Sequence, residues 1–160
     1  MSGGGARAPC LVLAWGNDAR GDDALGPLLA QQVQAALDEG RVRPCEPVEV
    51  MQVHQLQVEQ AMDLAGRRRV LFVDAAAAGP APFDARPLGP APARPVFSHA
   101  LSPEALLQVH RTLAIGPPPE CTLLAIRGQA FELGAPPGAA AHAHLDAALA
   151  WALGWLAGAR

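Results

Sequence analysis

The chain has 160 residues and a formal charge of −3, which fits a single domain over 1–160 with a real core and gives no general attraction to nucleic acid or acidic membranes. All 12 basic residues are arginine, so a lysine Schiff base and the lysine of a phosphate-binding loop are both excluded. The 3 cysteines, Cys10, Cys45 and Cys121, are widely spaced with no CxxC pair or Cys/His ligand spacing, which excludes a disulfide framework and a zinc knuckle.

Residues 1–8 are expected to be flexible. The run CLVLAW (10–15) reads as a buried strand, and Cys10 opens it as a small hydrophobe. It is too short for the apolar part of a signal peptide, and the Ala-rich C-terminal run is too short to span a bilayer. A soluble, cytoplasmic protein without a membrane or nucleic-acid partner is the expectation.

The stretch WGNDARGDDALGP (15–27) then places Asp18, Asp22 and Asp23 among Gly16, Gly21 and Gly26. The spacing G-x-x-x-x-G invites a phosphate-loop reading, but Gly21 is followed by two carboxylates where Lys and Ser/Thr should stand. Two acids at a helix N-terminus would repel a phosphate, and the dinucleotide pattern G-x-G-x-x-G fails on spacing. One reading makes Asp22 or Asp23 a helix cap. The other makes the turn a site for something positive.

Leu25, Leu28, Leu29, Val33 and Leu37 recur at helical spacing, with Pro27 in the first turn and Gly40 as a stop. VEVMQV (48–53) is a second strand, followed by His54. Val58, Ala61, Met62 and Ala65 form a second helical stripe that Gly66 closes. Arg67, Arg68 and Arg69 read as a solvated connection to a third strand, RVLFVDA (69–75), which ends on Asp74. The Pro-rich stretch 76–98 holds only a short edge strand near Phe83 to Leu88. Ser102 caps a third helix, with Pro103 at its first position and a staple between Leu101 and Leu106. CTLLAI (121–126) is the last buried strand, and a helix from about His142 to Leu156 closes the chain. Strands alternating with helices predict a three-layer α/β/α domain around a twisted, mostly parallel sheet of about five strands.

A carboxylate at the end of a buried strand is costly without a partner, and ligands of open α/β sheets bind at the carboxyl ends of strands. Asp23 follows the first strand, Asp74 ends the third, and His99 precedes the capped helix. Two carboxylates and an imidazole could coordinate a divalent transition metal or do acid/base work on a water. His110 is expected at solvent or an interface, and His142 and His144 at the surface. No GxSxG and no Cys with a placed His supports covalent catalysis.

Taken together, WGNDARGDDALGP, VLFVDAA, SHALSPEALL and IRGQAFELGAPPGAAAHAHLDAAL resemble, in order, the signature segments of the hydrogenase maturation proteases. These endopeptidases trim the nickel-loaded large subunit of [NiFe] hydrogenase. AWGN, RGDDALGP and HQLQVE look closest to the branch serving NAD-reducing soluble hydrogenases. The resemblance implies a mixed sheet flanked by helices, and a metal contacted by Asp23, Asp74 and His99. It implies that this metal is nickel already inserted in the precursor, with none bound tightly by the protease itself. The partner would be the large-subunit precursor, from which a C-terminal extension is cut. Either Asp23 or Asp74 activates water, or nickel polarises the scissile carbonyl while a carboxylate serves as base. Relatives often carry Glu at the first ligand position, where Asp23 is one methylene shorter. A non-cleaving factor that holds the precursor or nickel, and a small hydrolase with its own metal, are the alternative readings.

Overall fold

The computed structural model describes residues 6–91 and 101–159. Five strands form one sheet: β1 (Cys10–Trp15), β2 (Val48–Val53), β3 (Arg69–Ala76), β4 (Phe83–Leu88) and β5 (Glu120–Arg127), in the spatial order β2-β1-β3-β5-β4. All neighbours run parallel except β4, which pairs antiparallel with β5 at the edge. Pro87 sits in that edge strand, where a missing N–H disturbs no second neighbour.

The central strands are buried on both faces, and alternate residues feed two separate cores. Cys10, Val12, Ala14, Leu71, Val73, Leu124 and Ile126 pack with α1 (Leu25–Asp38) and α4 (Ala139–Leu156) on one face. Leu11, Leu13, Val70, Phe72 and Leu123 pack on the other against α2 (Gln60–Asp63) and α3 (Pro103–Leu113). The three-layer α/β/α domain and its mixed, mostly parallel sheet are as the sequence predicts. Among the described residues, no helix is long and apolar enough to cross a membrane.

Three local expectations change. The second helix is a single turn that buries Ala61, with Leu56 and Leu64 buried on either side of it, while Val58 and Met62 are half exposed. Bonds from Ala61 N–H to Val58 O and from Leu64 N–H to Ala61 O flank this turn, and one short turn cannot keep a long apolar stripe on one buried face. The last helix begins at Ala139, three residues early, with Gly138 as its N-cap residue.

The third change concerns the arginines. Arg67 and Arg69 are buried at the amino edge of the sheet, and only Arg68 is exposed. Arg67 donates to the carbonyls of Asp63 and Ala8, each at 2.9 Å, and pairs with Glu49. Arg69 donates to Glu46 at 2.6 Å and to the Trp155 carbonyl at 3.0 Å, with its guanidinium 4.0 Å from the centre of the Trp155 ring. It also reaches the Leu156 carbonyl at 3.3 Å, so it closes the C-terminus of α4, where a cation suits the helix dipole. Of the leading residues, Arg7 donates to the Ala65 carbonyl at 3.2 Å and Ala8 receives Arg67.

These environments separate two neighbouring arginines. Arg69→Met should lower stability by about 3 kcal/mol, because it leaves helix carbonyls and part of Glu46 without donors. Arg68→Met should leave the urea midpoint nearly unchanged, since its side chain is 57% exposed. Equal losses in urea denaturation would refute this division.

Candidate functional site

The site lies where the chain changes direction across the sheet. From β1 it passes through α1 on one face to β2, then through α2 on the other face to β3. β1 therefore has β2 on one side and β3 on the other, and the loops leaving β1 and β3 diverge to opposite faces. Such a switch point opens a crevice at the carboxyl ends of the two strands.

Asp74 stands there, one residue beyond the last β1–β3 pair, Ala14 with Val73. Asp23 reaches the same crevice from a 3-10 turn, Gly21–Ala24, that packs against β3. Gly26 makes this approach feasible. A β-carbon there would overlap the Trp15 carbonyl and press on the Val73 carbonyl, so the start of α1 lies directly on the ends of both strands. Gly16, at φ +150, has no room for a β-carbon beside the Asp23 carbonyl.

Neither acid of the GDD stretch caps a local helix: no side chain caps the 3-10 turn or α1. Asp22 turns inward and is 1% exposed. Its Oδ2 accepts the N–H groups of Gln129 at 2.7 Å and Ala130 at 3.0 Å, and its Oδ1 accepts that of Gly138 at 2.9 Å. Burial pushes this carboxyl up, but the three N–H bonds outweigh it and hold the group below its ordinary value. The carboxylate thus answers the N-terminus of α4, in place of α1.

Asp23 is half-buried and oriented by the Asn17 N–H, which donates to Oδ2 at 2.8 Å. Asp18 is exposed in the same loop. Asp74 shifts in the opposite direction from Asp22. Burial pushes its carboxyl up to about 7, the Ala75 N–H at 2.8 Å opposes this, and the charge of Asp23 adds to it. The structure thus brings Asp23 and Asp74 close enough to feel each other's charge. His99, the third residue that the sequence singles out, lies outside the described residues. Among the described residues, no three His, Cys, Asp or Glu side chains gather into a metal-binding group.

The other histidines fall elsewhere. His54 is exposed at the end of β2, where its carbonyl accepts the Gly16 N–H at 3.2 Å. His110 is buried, contrary to expectation, and burial holds its pKa down. His142 is exposed, while His144 lies 2.8 Å from the Arg127 carbonyl. A cavity of about 350 Å³ beside Cys45, Arg69 and Trp155 opens at the amino edge, away from the acids.

No protein-family profile matches the sequence, and no curated protein matches it. Solved structures do match in fold. A [NiFe] hydrogenase maturation protease, HycI from Thermococcus kodakarensis, superposes with a TM-score of 0.69 at 19% identity, covering 96% of this chain and 94% of that one. The hydrogenase maturating endopeptidase HybD from E. coli gives a TM-score of 0.69 at 21% identity, over 92% of this chain and 91% of that one. A hydrogenase 3 maturation protease gives 0.69 at 20% identity, over 97% of both chains. The fold is the one these proteases share.

The raised pKa of Asp74 carries a stability consequence. A carboxyl that holds its proton more tightly when folded makes the fold less stable as pH rises from about 3.8 to about 7. Asp74→Asn removes that penalty. We expect it to stabilise the protein by about 2 kcal/mol at pH 8, allowing for partial exposure, and to add little at pH 4. Thermal unfolding across this range checks the sign; a gain at pH 4 as large as at pH 8 would contradict it.

Proposed function

We propose that this chain is an aspartic-type endopeptidase that removes the C-terminal extension from the large-subunit precursor of a [NiFe] hydrogenase. We propose further that nickel already inserted in the precursor is the element it recognises. The observation that carries this reading is the pair Asp23 and Asp74, converging at the switch-point crevice of a fold shared with hydrogenase maturation proteases over nearly the whole chain.

The chemistry follows from the pair. Peptide hydrolysis needs a base to take a proton from water and a donor to return one to the leaving amine. A carboxyl poised near neutral pH beside a second carboxylate suits both roles. The ionised member accepts the water proton as the new C–O bond forms. The same proton passes to the amine nitrogen as the C–N bond breaks. Asn17 keeps Asp23 turned to the crevice while this occurs.

A cation held by the precursor would offset the repulsion between the two acids, so the site discriminates by charge as well as shape. Oxygen ligands from Asp23 and Asp74, with a nitrogen from His99, are a donor set that suits nickel. His99 stands in sequence two residues before Leu101, which donates to the Leu56 carbonyl at 3.1 Å beyond the end of β2. On this reading the ion belongs to the substrate, and the purified protease carries none tightly. The wording of AWGN, RGDDALGP and HQLQVE supports the NAD-reducing soluble hydrogenases as the class served, in the cytoplasm.

The deciding experiment incubates the protein with purified precursor, with and without nickel, and weighs the products by mass spectrometry. A short C-terminal fragment released only from the nickel-loaded form is expected, with at least about 100-fold less from Asp74→Ala. Wild-type cleavage by Asp74→Ala would remove Asp74 from the mechanism. A stable complex with no fragment in either form would make the protein a holding factor.

A further inference from the structure

The segment 128–138 follows β5 at the carboxyl edge and forms no helix or strand, yet it is tied closely to the turn that bears Asp23. Asp22 accepts three of its N–H groups, at Gln129, Ala130 and Gly138. In return the Asp22 N–H donates to the Ala130 carbonyl at 2.7 Å and the Gly21 N–H to the Ala135 carbonyl at 2.9 Å. Gly134 N–H reaches the Ala19 carbonyl at 2.6 Å. Gly128 leaves no room for a β-carbon, which would lie 2.8 Å from both the Asp22 β-carbon and the Phe131 ring.

Midway along this arm Leu133 is 76% exposed, the most exposed large hydrophobic residue described. A lone exposed leucine is ordinary on a protein surface. This one differs because the backbone beneath it is fixed to the residue preceding Asp23. A side chain held on an ordered support loses little freedom when it docks. An endopeptidase must also grip its substrate beside the scissile bond, and this arm is bonded directly to the turn that carries Asp23.

We infer that the 128–138 arm is a preformed substrate-docking element, in which Leu133 contacts the polypeptide flanking the scissile bond and Asp22 is the positioning residue that locks the arm. This rests on the endopeptidase reading. Asp22 does not touch the substrate; it acts through the arm.

The test measures kcat and KM on nickel-loaded precursor for wild type, Leu133→Asp, Leu113→Asp and Asp22→Asn. Leu113 is 55% exposed near the end of α3, at the opposite edge of the sheet, and controls for generic loss of apolar surface. Leu133→Asp should raise KM about tenfold with little change in kcat, and Leu113→Asp should not. Asp22→Asn should raise KM similarly and speed amide exchange at Gln129, Ala130 and Gly138 without loosening β1 or β3. Leu133→Asp at the wild-type KM overturns the proposal, as does Asp22→Asn with a loosened arm and an unchanged KM. If wild type releases no fragment, the endopeptidase reading fails, and precursor binding decides the arm separately. Affinity about tenfold weaker for Leu133→Asp would uphold docking, and equal affinity would overturn it.

Discussion

A carboxylate withdrawn from water costs several kcal/mol unless fixed dipoles replace its hydration. Asp22 meets that condition with three backbone N–H groups, all from a segment more than a hundred residues away in sequence. Much else at the carboxyl edge depends on this interaction. It seats the 3-10 turn, and therefore Asp23, against the end of β3. It also fixes the entry into α4, which packs against β5, β4 and α1. Loss of the charge would leave three donors facing a site that water does not reach.

Asp22 and Asp74 show how far environment decides what a residue type does. Asp22 is the more deeply buried of the two, yet its proton is the more weakly held, because N–H dipoles surround it. Asp74 has one such bond and a like charge beside it, so burial prevails and its proton is held up to about neutral pH. The sheet separates satisfied and unsatisfied charge in space. Its amino edge holds Arg67 and Arg69 with Glu46, Glu49 and Trp155 in saturated contacts. Its carboxyl edge leaves Asp23 and Asp74 without a cationic partner among the described residues. That asymmetry is what a binding site needs, since a group already satisfied has nothing left to offer a ligand.

How much of this was legible in the sequence follows from the range of each interaction. The strands were legible because burial on both faces writes a continuous apolar run, and β1, β2 and β4 fall at the expected bounds. α3 was legible because its cap is local: Ser102 accepts the Ala105 N–H at 3.1 Å, three residues on. The stripe over 58–65 does not form because the helix there is one turn, too short to hold Val58 and Met62 on the buried face with Ala61. Arg67 and Arg69 looked solvated because their partners, Glu49, Glu46 and the end of α4, are remote in sequence. The division of labour between Asp22 and Asp23 was hidden for the same reason. Both stand at a helix start with identical chemistry, and only the distant N–H groups at 129, 130 and 138 tell them apart. Asp23 and Asp74 were legible as a pair because strand order brings the ends of β1 and β3 together.

The sign of the site follows from what remains after the internal contacts are counted. A glycine-rich turn between a strand and a helix ordinarily offers N–H groups to an anion. Here the 3-10 turn spends its N–H groups on protein carbonyls: Gly21 on Ala135, Asp22 on Ala130 and Asp23 on Arg20. Asn17 gives its N–H to Asp23 itself. The donors that would hold a phosphate are therefore engaged, and the two side chains left facing the crevice are acids that repel each other. A negative ligand would add to that repulsion, whereas a positive one would relieve it. The fold thus presents a crevice whose repulsion a cation would relieve, and the chain supplies no lysine and no described arginine to relieve it from within.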